Sequence, residues 1–148
     1  MELSTKAQTR EARMKVAVYP GSFNPWHIGH DDVLEKALKV FDAVIIAQGV
    51  NPEKNISDRP RIPSKVKAKW GNRVITAAYK GLLKDFVKDK EIVAVIRGLR
   101  NANDLDYEKS QQYWNEDLGM EIPTFYVIGG RNVCHISSSA LRAIEKIK

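Results

Sequence analysis

A chain of 148 residues suits one domain with a substantial hydrophobic core, and we expect residues 15–148 to form it behind a polar extension, residues 1–14. With 43% hydrophobic residues, no apolar stretch of membrane-spanning length and no apolar signal-peptide core, we expect neither a membrane protein nor a secreted one. The single cysteine, Cys134, excludes an intramolecular disulfide and a cysteine-rich metal site, and it favours the reducing cytoplasm.

The net charge of +6 is concentrated in one stretch of the chain. Residues 54–73 carry seven lysines and arginines against a single acidic residue, Asp58. A basic stretch of this kind suits an anionic partner, either a nucleic acid or a phosphorylated small molecule. A solvated surface segment carries the same charges, so both interpretations stay open at this point.

The first half of the chain alternates strand patterns with a helical one. A β-branched run predicts a strand at 15–19, and glycine and proline predict a loop at 20–27. Apolar residues on one face predict a helix over 29–41, and residues 43–48 are apolar enough for a strand buried on both faces. Three prolines make residues 50–72 loop-like.

The second half continues the alternation. We predict strands at 74–77, 92–96 and 124–128, and helices at 82–87, 103–118 (with Asn103 or Asp104 as N-cap) and 137–147 (with a serine cap). Strands that alternate with helices predict a single α/β domain, a Rossmann-like doubly wound parallel sheet. Ligands bind such sheets at the carboxyl ends of the strands.

The loop after the first strand carries the most informative pattern, with Gly21, Ser22, His27, Gly29 and His30 at a strand–loop–helix junction. A helix N-terminus offers unpaired N–H groups and a positive dipole end, and imidazoles add charge-assisted bonds to phosphate oxygens. Only one further histidine, His135, remains, so we expect no zinc site built from histidines. The pattern therefore predicts an enzyme that handles a nucleoside triphosphate.

Two later segments also follow strands. Arg97 and Arg100 end a buried strand and offer bidentate donors to an anion, although pairing with Asp104, Asp106 or Glu108 is the alternative. Serines 137–139 precede the last helix, where hydroxyls and free N–H groups suit triphosphate oxygens and where simple N-capping needs only one of them.

Together these motifs resemble a known superfamily. Residues 21–30, Gly-Ser-Phe-Asn-Pro-x-His-x-Gly-His, are similar to the nucleotidyltransferase signature, and residues 136–139, Ile-Ser-Ser-Ser, are similar to its second signature. Residues 95–100 with the acidic stretch after them, residues 19–23 and residues 51–54 resemble, more narrowly, the phosphopantetheine adenylyltransferases. The resemblance extends from about Val16 to Arg142.

That resemblance implies transfer of AMP from ATP to 4′-phosphopantetheine, giving dephospho-coenzyme A and pyrophosphate, with Mg²⁺ bridging the ATP phosphates. It further implies a cytoplasmic homo-oligomer, a hexamer, with no membrane or nucleic-acid partner. His30 would stabilise charge on the α-phosphate, and Ser22 would contact both substrates. The other implied contacts are Lys54 and Arg97 for the acceptor phosphate, Leu83 for the pantetheine arm, and Phe23, His27, Gly98, Leu99, Arg100, Glu108, Val133, Cys134, His135, Ile136, Ser137, Ser138 and Ser139 for ATP.

Two departures keep alternatives open. His27 stands where this family usually has threonine, and Asn24 where aspartate is common; both favour a nicotinamide-mononucleotide or glycerol-phosphate relative. A non-catalytic nucleotide sensor, or a nucleic-acid-binding protein that uses the basic 54–73 stretch, is the third hypothesis. The length leaves no room for anticodon recognition, so we do not expect a tRNA synthetase.

Overall fold

A computed structural model describes residues 13–50, 61–132 and 138–147. The polar extension up to residue 12, the segment 51–60 with Lys54, and residues 133–137 of the serine motif lie outside the described residues. The strands are β1 (Val16–Gly21), β2 (Ala43–Gly49), β3 (Val74–Tyr79), β4 (Ile92–Leu99) and β5 (Thr124–Ile128). The helices are α1 (Ile28–Ala37), α2 (Ser64–Trp70), α3 (Leu83–Val87), α4 (Ala102–Asp117) and α5 (Ser138–Ile147), and a 3₁₀ turn spans Gly71–Arg73.

The five strands form one parallel sheet in the order β3-β2-β1-β4-β5. This is the doubly wound α/β arrangement predicted from the alternation of strands and helices, and the prediction is confirmed. The strand order reverses between β1 and β4, since β2 and β3 extend to one side and β5 to the other. In such sheets the crevice at the reversal, at the carboxyl ends of the strands, is the usual ligand site.

Two layers of apolar side chains cover the sheet, because neighbouring residues of a strand point to opposite faces. Ala17 and Tyr19 of β1 lie in one core cluster with α1 and with Val66 of α2. Val18 lies in the other, with α3 and Met120 beyond α4. The side chains of β1 are thus buried on both faces of the sheet, which lies between two groups of helices.

The sheet opens where β1 and β4 stop pairing with each other. β1 pairs with β2 along its whole length, from Val16 to Gly21, but with β4 only over Val16–Val18. Beyond Val18 the two strands no longer form ladder hydrogen bonds with each other. The crevice that this creates at the strand reversal is where the candidate site lies.

We had predicted a loop for the basic segment after residue 61, and this prediction was wrong. The segment contains α2 and the 3₁₀ turn. Ile62, Val66 and Trp70, spaced by four residues, pack on the core and account for the helix. The N-cap of α4 is also corrected: it is Asn101, whose side-chain oxygen accepts the Asp104 N–H at 3.0 Å, and neither Asn103 nor Asp104. No helix in the described ranges is long and apolar enough to cross a membrane.

Candidate active site

A cavity of about 460 Å³ occupies the crevice at the carboxyl ends of β1 and β4. It collects residues from the β1–α1 loop, the start of α1, the end of β4, α4 and the turn after β5, which the chain order keeps far apart. Most of the sequence-predicted residues that lie in the described ranges line it: Ser22, Phe23, His27, His30, Arg97, Gly98, Leu99, Arg100 and Glu108.

The β1–α1 loop is held against the sheet by aromatic side chains. Phe23 and Trp26 are buried, and their rings pack on each other at a centroid distance of 5.1 Å and on Tyr19. A Cβ on Gly21 would stand 2.9 Å from the Phe23 ring, so only glycine lets this ring fold back over the strand end. The packing leaves the loop's polar residue, Ser22, exposed at the cavity.

His27 and His30 form the N-terminal cap of α1, a capping box made of two imidazoles. The Nδ1 atom of His27 accepts the Gly29 N–H at 3.0 Å, and the Nδ1 atom of His30 accepts the His27 N–H at 3.0 Å. The two rings stack at a centroid distance of 3.7 Å. Because each Nδ1 is an acceptor, the proton of each neutral ring sits on Nε2.

Burial and nearby charges change the expected charge of the two histidines. Burial, together with His27, Arg100 and Arg97 nearby, lowers the pKa of His30 to about 3. Burial and Arg100 also lower the pKa of His27, against a smaller opposite effect of Asp31. His30 is therefore neutral at physiological pH, in contrast to the charged imidazole that our expectation of charge-assisted phosphate bonds supposed. His30 lines the cavity as a neutral N–H donor.

Arg97 spans the gap between the separated strands. Its Nη1 donates to the carbonyl oxygen of Pro20 on β1 at 2.7 Å. Its Nε and Nη2 donate to the two carboxylate oxygens of Glu108 on α4, at 3.0 and 2.7 Å. Burial opposes the charge, but the hydrogen bonds and charge of Glu108 outweigh it and raise the pKa of Arg97. The guanidinium is thus charged and fixed at three points.

Arg100 makes an equivalent pair with Asp104, on the same helix as Glu108. Asp104 accepts from the Arg100 backbone N–H at 2.9 Å and from its Nε at 3.1 Å. Pairing with acidic residues, the alternative we left open for both arginines, therefore coexists with a place at the cavity wall. Between them, Gly98 passes so close to α1 that a Cβ there would stand 2.9 Å from Val33 Cγ2.

A second cavity, of about 260 Å³, lies on the other side of Arg97. It is lined by Tyr79, by Leu83 at the start of α3, and by polar and aromatic side chains of α4. Pro20, Arg97, Tyr107 and Glu108 line both cavities. Two adjoining cavities with an arginine in their common wall suit two substrates that must meet there.

Three contacts tie the outer loops to this site. Arg142 of α5 donates to the carbonyl oxygen of Asn24, which brings the helix after the serine motif to the β1–α1 loop. Asp32 of α1 accepts the Gly130 N–H at 2.8 Å and the Lys36 Nζ at 2.9 Å. Lys36 also donates to the Ile128 carbonyl at 3.0 Å. These contacts connect α1 with the turn that leads from β5 into the serine motif.

Several residues of the site escaped the sequence interpretation. The backbone oxygen of Pro20 was not singled out, because backbone contacts leave no mark in a sequence. The side chain of Asp32 was not singled out either, and Tyr107 was noted only as part of the acidic stretch after Arg100. Asp32 stands two residues after His30, just beyond the motif at residues 21–30, and this closeness in the sequence was the available signal. Lys54 lies outside the described residues, as do residues 133–137 of the serine motif. Ser138 and Ser139 begin α5.

The residues of the cavity wall do not form a protein cage for a metal ion. Within the described ranges no three histidine, cysteine or acidic side chains cluster as metal ligands. The acidic residues of the wall, Asp104 and Glu108, are each paired with an arginine. This donor set fits a cation that is held by the phosphates of a bound nucleotide.

Comparison with known proteins agrees with the fold and the site. A family model described as cytidylyltransferase-like matches residues 18–144. The chain therefore belongs to the cytidylyltransferase-like family of nucleotidyltransferases, as the motifs at residues 21–30 and 136–139 predicted.

Curated relatives narrow the assignment. Proteins named phosphopantetheine adenylyltransferase are similar over most of the chain: that of Clostridium novyi is 36% identical over 135 residues, 88% of this chain and 83% of the relative. The Cytophaga hutchinsonii protein of the same name is 37% identical, over 89% of this chain and 90% of the relative. Within the family the chain falls among the phosphopantetheine adenylyltransferases, and the resemblance predicted from the sequence is confirmed.

A solved structure supports the architecture alone. The lipopolysaccharide core biosynthesis protein from Thermoplasma volcanium GSS1 superposes with a TM-score of 0.54 at 17% identity, covering 80% of this chain and 99% of that one. At this identity the likeness concerns the fold and not the substrate.

Proposed function

We propose that this protein transfers AMP from ATP to 4′-phosphopantetheine, releasing pyrophosphate and forming dephospho-coenzyme A. The observation that carries the proposal is the pair of adjoining cavities with Arg97 in their common wall. The names of the curated relatives support phosphopantetheine as the acceptor over nicotinamide mononucleotide, the alternative that His27 and Asn24 had left open.

The reaction joins two anions and needs no general base, because the acceptor phosphate is already a nucleophile. One of its oxygens attacks the α-phosphorus of ATP, the bond to the bridging oxygen breaks, and pyrophosphate leaves with that electron pair. The protein must hold the reactants in line against their repulsion and stabilise the charge that develops. Positioning of this kind is worth roughly 7–11 kcal/mol in favourable cases.

His30 is the residue we assign to the α-phosphate. Its Nδ1 is occupied by the His27 N–H, so Nε2–H is the donor that it can offer to a phosphate oxygen in the cavity. The ring is fixed by the capping contact and by stacking on His27. A fixed neutral donor needs no reorganisation as charge builds up on the phosphorus oxygens, and this favours the transition state over the ground state.

The remaining roles divide between the two cavities. Arg97, with Lys54, binds the acceptor phosphate, and Leu83 contacts the pantetheine arm in the smaller cavity. Ser22, exposed at the β1–α1 loop, contacts both substrates. For ATP we propose Phe23, His27, Gly98, Leu99, Arg100 and Glu108, which line the larger cavity, together with residues 133–139 of the serine motif.

Mg²⁺ enters with ATP in this proposal. Bound to the phosphates, it supplies charge neutralisation to the pyrophosphate leaving group. The chain's own contribution is the set of donors around it: the arginines add positive charge, and His30 adds a neutral N–H donor.

We further propose a cytoplasmic homo-oligomer, a hexamer as in the proteins that the motifs resemble. Four large side chains of α4 are exposed in the single chain and are suited to self-association: Leu105, Tyr107, Tyr113 and Trp114. Light scattering coupled to size-exclusion chromatography would measure the mass directly, and a monomer at micromolar concentration would contradict this part of the proposal.

The first experiment is an assay of pyrophosphate release from ATP and Mg²⁺, with 4′-phosphopantetheine and nicotinamide mononucleotide offered separately. We expect release with phosphopantetheine alone, and with ATP in strong preference to CTP. Lys54→Ala should raise the acceptor KM, whereas Lys69→Ala on α2 serves as a charge-matched control.

Other outcomes would point elsewhere. Release with nicotinamide mononucleotide alone would overturn the acceptor assignment. Silence with both acceptors, combined with a salt-sensitive affinity for DNA or RNA, would favour a binding protein that uses the basic 54–73 stretch.

A further inference from the structure

The phenol of Tyr79 reaches the smaller cavity from the edge strand of the sheet. Tyr79 ends β3 and lies beside Gly49 of β2 in the parallel register. A Cβ on Gly49 would stand 3.4 Å from the Tyr79 Oη atom, so the hydroxyl lies directly over this glycine. Any side chain longer than a methyl group at position 49 would compete with the phenol for that space. Glycine thus lets the ring extend across β2 to the wall of the cavity that Arg97 also lines.

The backbone and ring of Tyr79 are held in place, whereas its hydroxyl bonds nothing in the described ranges. The Tyr79 carbonyl oxygen accepts the Val50 N–H at 2.9 Å, and the ring packs on Phe86 at a centroid distance of 5.2 Å. Among the residues that the structure describes, none forms a hydrogen bond with the Tyr79 hydroxyl. Tyr126, on the wall of the same cavity, differs, since its hydroxyl donates to the Glu108 carbonyl oxygen at 3.3 Å. The half-buried Tyr79 hydroxyl therefore has its hydrogen-bonding capacity left for a ligand.

We infer that the Tyr79 hydroxyl forms a hydrogen bond with the arm of the acceptor and so helps to select the acceptor. The inference rests on the proposed function. Tyr79 lines only the smaller of the two cavities, whereas Arg97, which binds the acceptor phosphate in that proposal, lies in their common wall. The hydroxyl is therefore placed beyond the phosphate, in the cavity that Leu83 also lines. The arm of 4′-phosphopantetheine carries a hydroxyl group and amide groups, which offer partners to a phenol.

Recognition in the smaller cavity has to use neutral groups. The only charged side chains among its described lining residues are Arg97 and Glu108, and these two are paired with each other. Burial raises the pKa of Tyr79, against a smaller opposite effect of Arg97, so the phenol keeps its proton at physiological pH. Tyr79 is therefore a neutral donor in a cavity that suits a neutral arm.

Tyr79→Phe tests this bond, because it removes the hydroxyl and retains the ring that packs on Phe86. We expect the KM for 4′-phosphopantetheine to rise roughly three- to tenfold, the usual effect of one lost neutral hydrogen bond. The ATP KM and kcat should stay within about twofold, because Tyr79 does not line the larger cavity. The melting temperature should not fall, since the hydroxyl bonds no described residue of the protein.

Tyr126→Phe is the matched control, since it removes a hydroxyl from the wall of the same cavity, but one whose partner is a backbone carbonyl. It should lower stability slightly and leave the acceptor KM within about twofold. Inorganic phosphate, used as a competitor of the acceptor, separates the phosphate from the arm. Its inhibition constant should be equal in Tyr79→Phe and in the unsubstituted protein.

An unchanged acceptor KM in Tyr79→Phe, an equal rise in Tyr126→Phe, or weaker inhibition of Tyr79→Phe by phosphate would each overturn the inference. Failure of the proposed function is seen separately, as absence of turnover by the unsubstituted protein with phosphopantetheine. In that case calorimetric titration with 4′-phosphopantetheine compares the unsubstituted protein with Tyr79→Phe, and equal affinities, or binding by neither, would contradict the role of Tyr79.

Discussion

The carboxylate of Asp32 accepts the backbone N–H of Gly130 at 2.8 Å, and this bond helps to join the first helix to the turn that follows the last strand of the sheet. Burial alone would raise the pKa of Asp32, but the bonds from Gly130 and Lys36 outweigh it and lower the pKa. The contact spans most of the chain and keeps the turn after β5 beside the start of α1.

Asp32→Asn should therefore loosen the turn without unfolding the protein. Both donors bond the same oxygen, Oδ2, so an amide oxygen keeps the partners but loses the charge that strengthens both bonds, and we expect a loss of about 1–2 kcal/mol in the free energy of unfolding. Hydrogen exchange at the Gly130 amide should accelerate. Glu35→Gln, the same chemical change on an exposed position of α1, is the control; equal exchange rates in both variants would contradict the tether.

Loss of His30 should depress turnover much more than ATP affinity. Removal of one preorganised donor to a developing charge costs about 10²–10³ in kcat, and we expect the same for His30→Ala. His30→Gln preserves the capping contact, because glutamine at this position reaches back to the N-cap N–H. Its melting temperature should therefore stay close to that of the unsubstituted protein while kcat falls. If kcat and ATP affinity fall together in His30→Gln, His30 does not have the proposed role.

The lowered pKa of His30 predicts acid sensitivity with a definite sign. An ordinary pKa of 6.5 in the unfolded chain and about 3 in the folded one mean that the unfolded state binds more protons between these values. Stability is retained above pH 6.5 and lost as the pH falls toward 3, by up to ~4 kcal/mol for this one group. His30→Gln should flatten that part of the profile in denaturant titrations.

The protonation state of His30 can be observed directly. In ¹⁵N NMR spectra the His30 ring should show the Nε2–H tautomer and remain neutral down to about pH 4, whereas an exposed histidine titrates near 6.5. His27→Thr retains a capping oxygen but removes the stacked ring, so the pKa of His30 should rise. A His30 resonance that titrates near 6.5 in the unsubstituted protein would exclude the neutral donor.

Gly98→Ala tests the close approach of β4 and α1. The added methyl would stand 2.9 Å from Val33 Cγ2, which is buried, so we expect a loss of about 1–3 kcal/mol in stability. Val33→Ala removes the obstacle, and the double variant should be more stable than the sum of the two single effects implies. Additive effects in denaturant unfolding would show that Val33 is not the cause.

The architecture was predictable because its signals are local. Strand runs such as residues 92–96 are apolar throughout, and alternation with helices is enough to imply a parallel sheet. The short helix α2 was missed because it buries only Val66 and is otherwise dominated by lysine, which hid the four-residue spacing of Ile62, Val66 and Trp70.

The residues that form the site were easier to predict than their hydrogen bonds and charge states. Motif residues such as His30 and Arg97 line the cavity as expected. The sequence left three candidate carboxylates as partners of the two arginines. The choice between them depends on how α4 is rotated about its axis relative to β4. The neutral state of the histidines depends on their burial and on nearby arginines, and their tautomer depends on backbone N–H groups at Nδ1; no residue pattern reports either.

The early end of pairing between β1 and β4 has a mechanical consequence. A continuous parallel sheet resists shear between neighbouring strands because each hydrogen bond constrains the next, and here that continuity is interrupted at the centre of the molecule. Beyond Val18, Arg97 supplies a side-chain bridge between the two strands through its bond to the Pro20 carbonyl. A substrate that occupies the crevice would lie between the two separated strand ends and contact both of them.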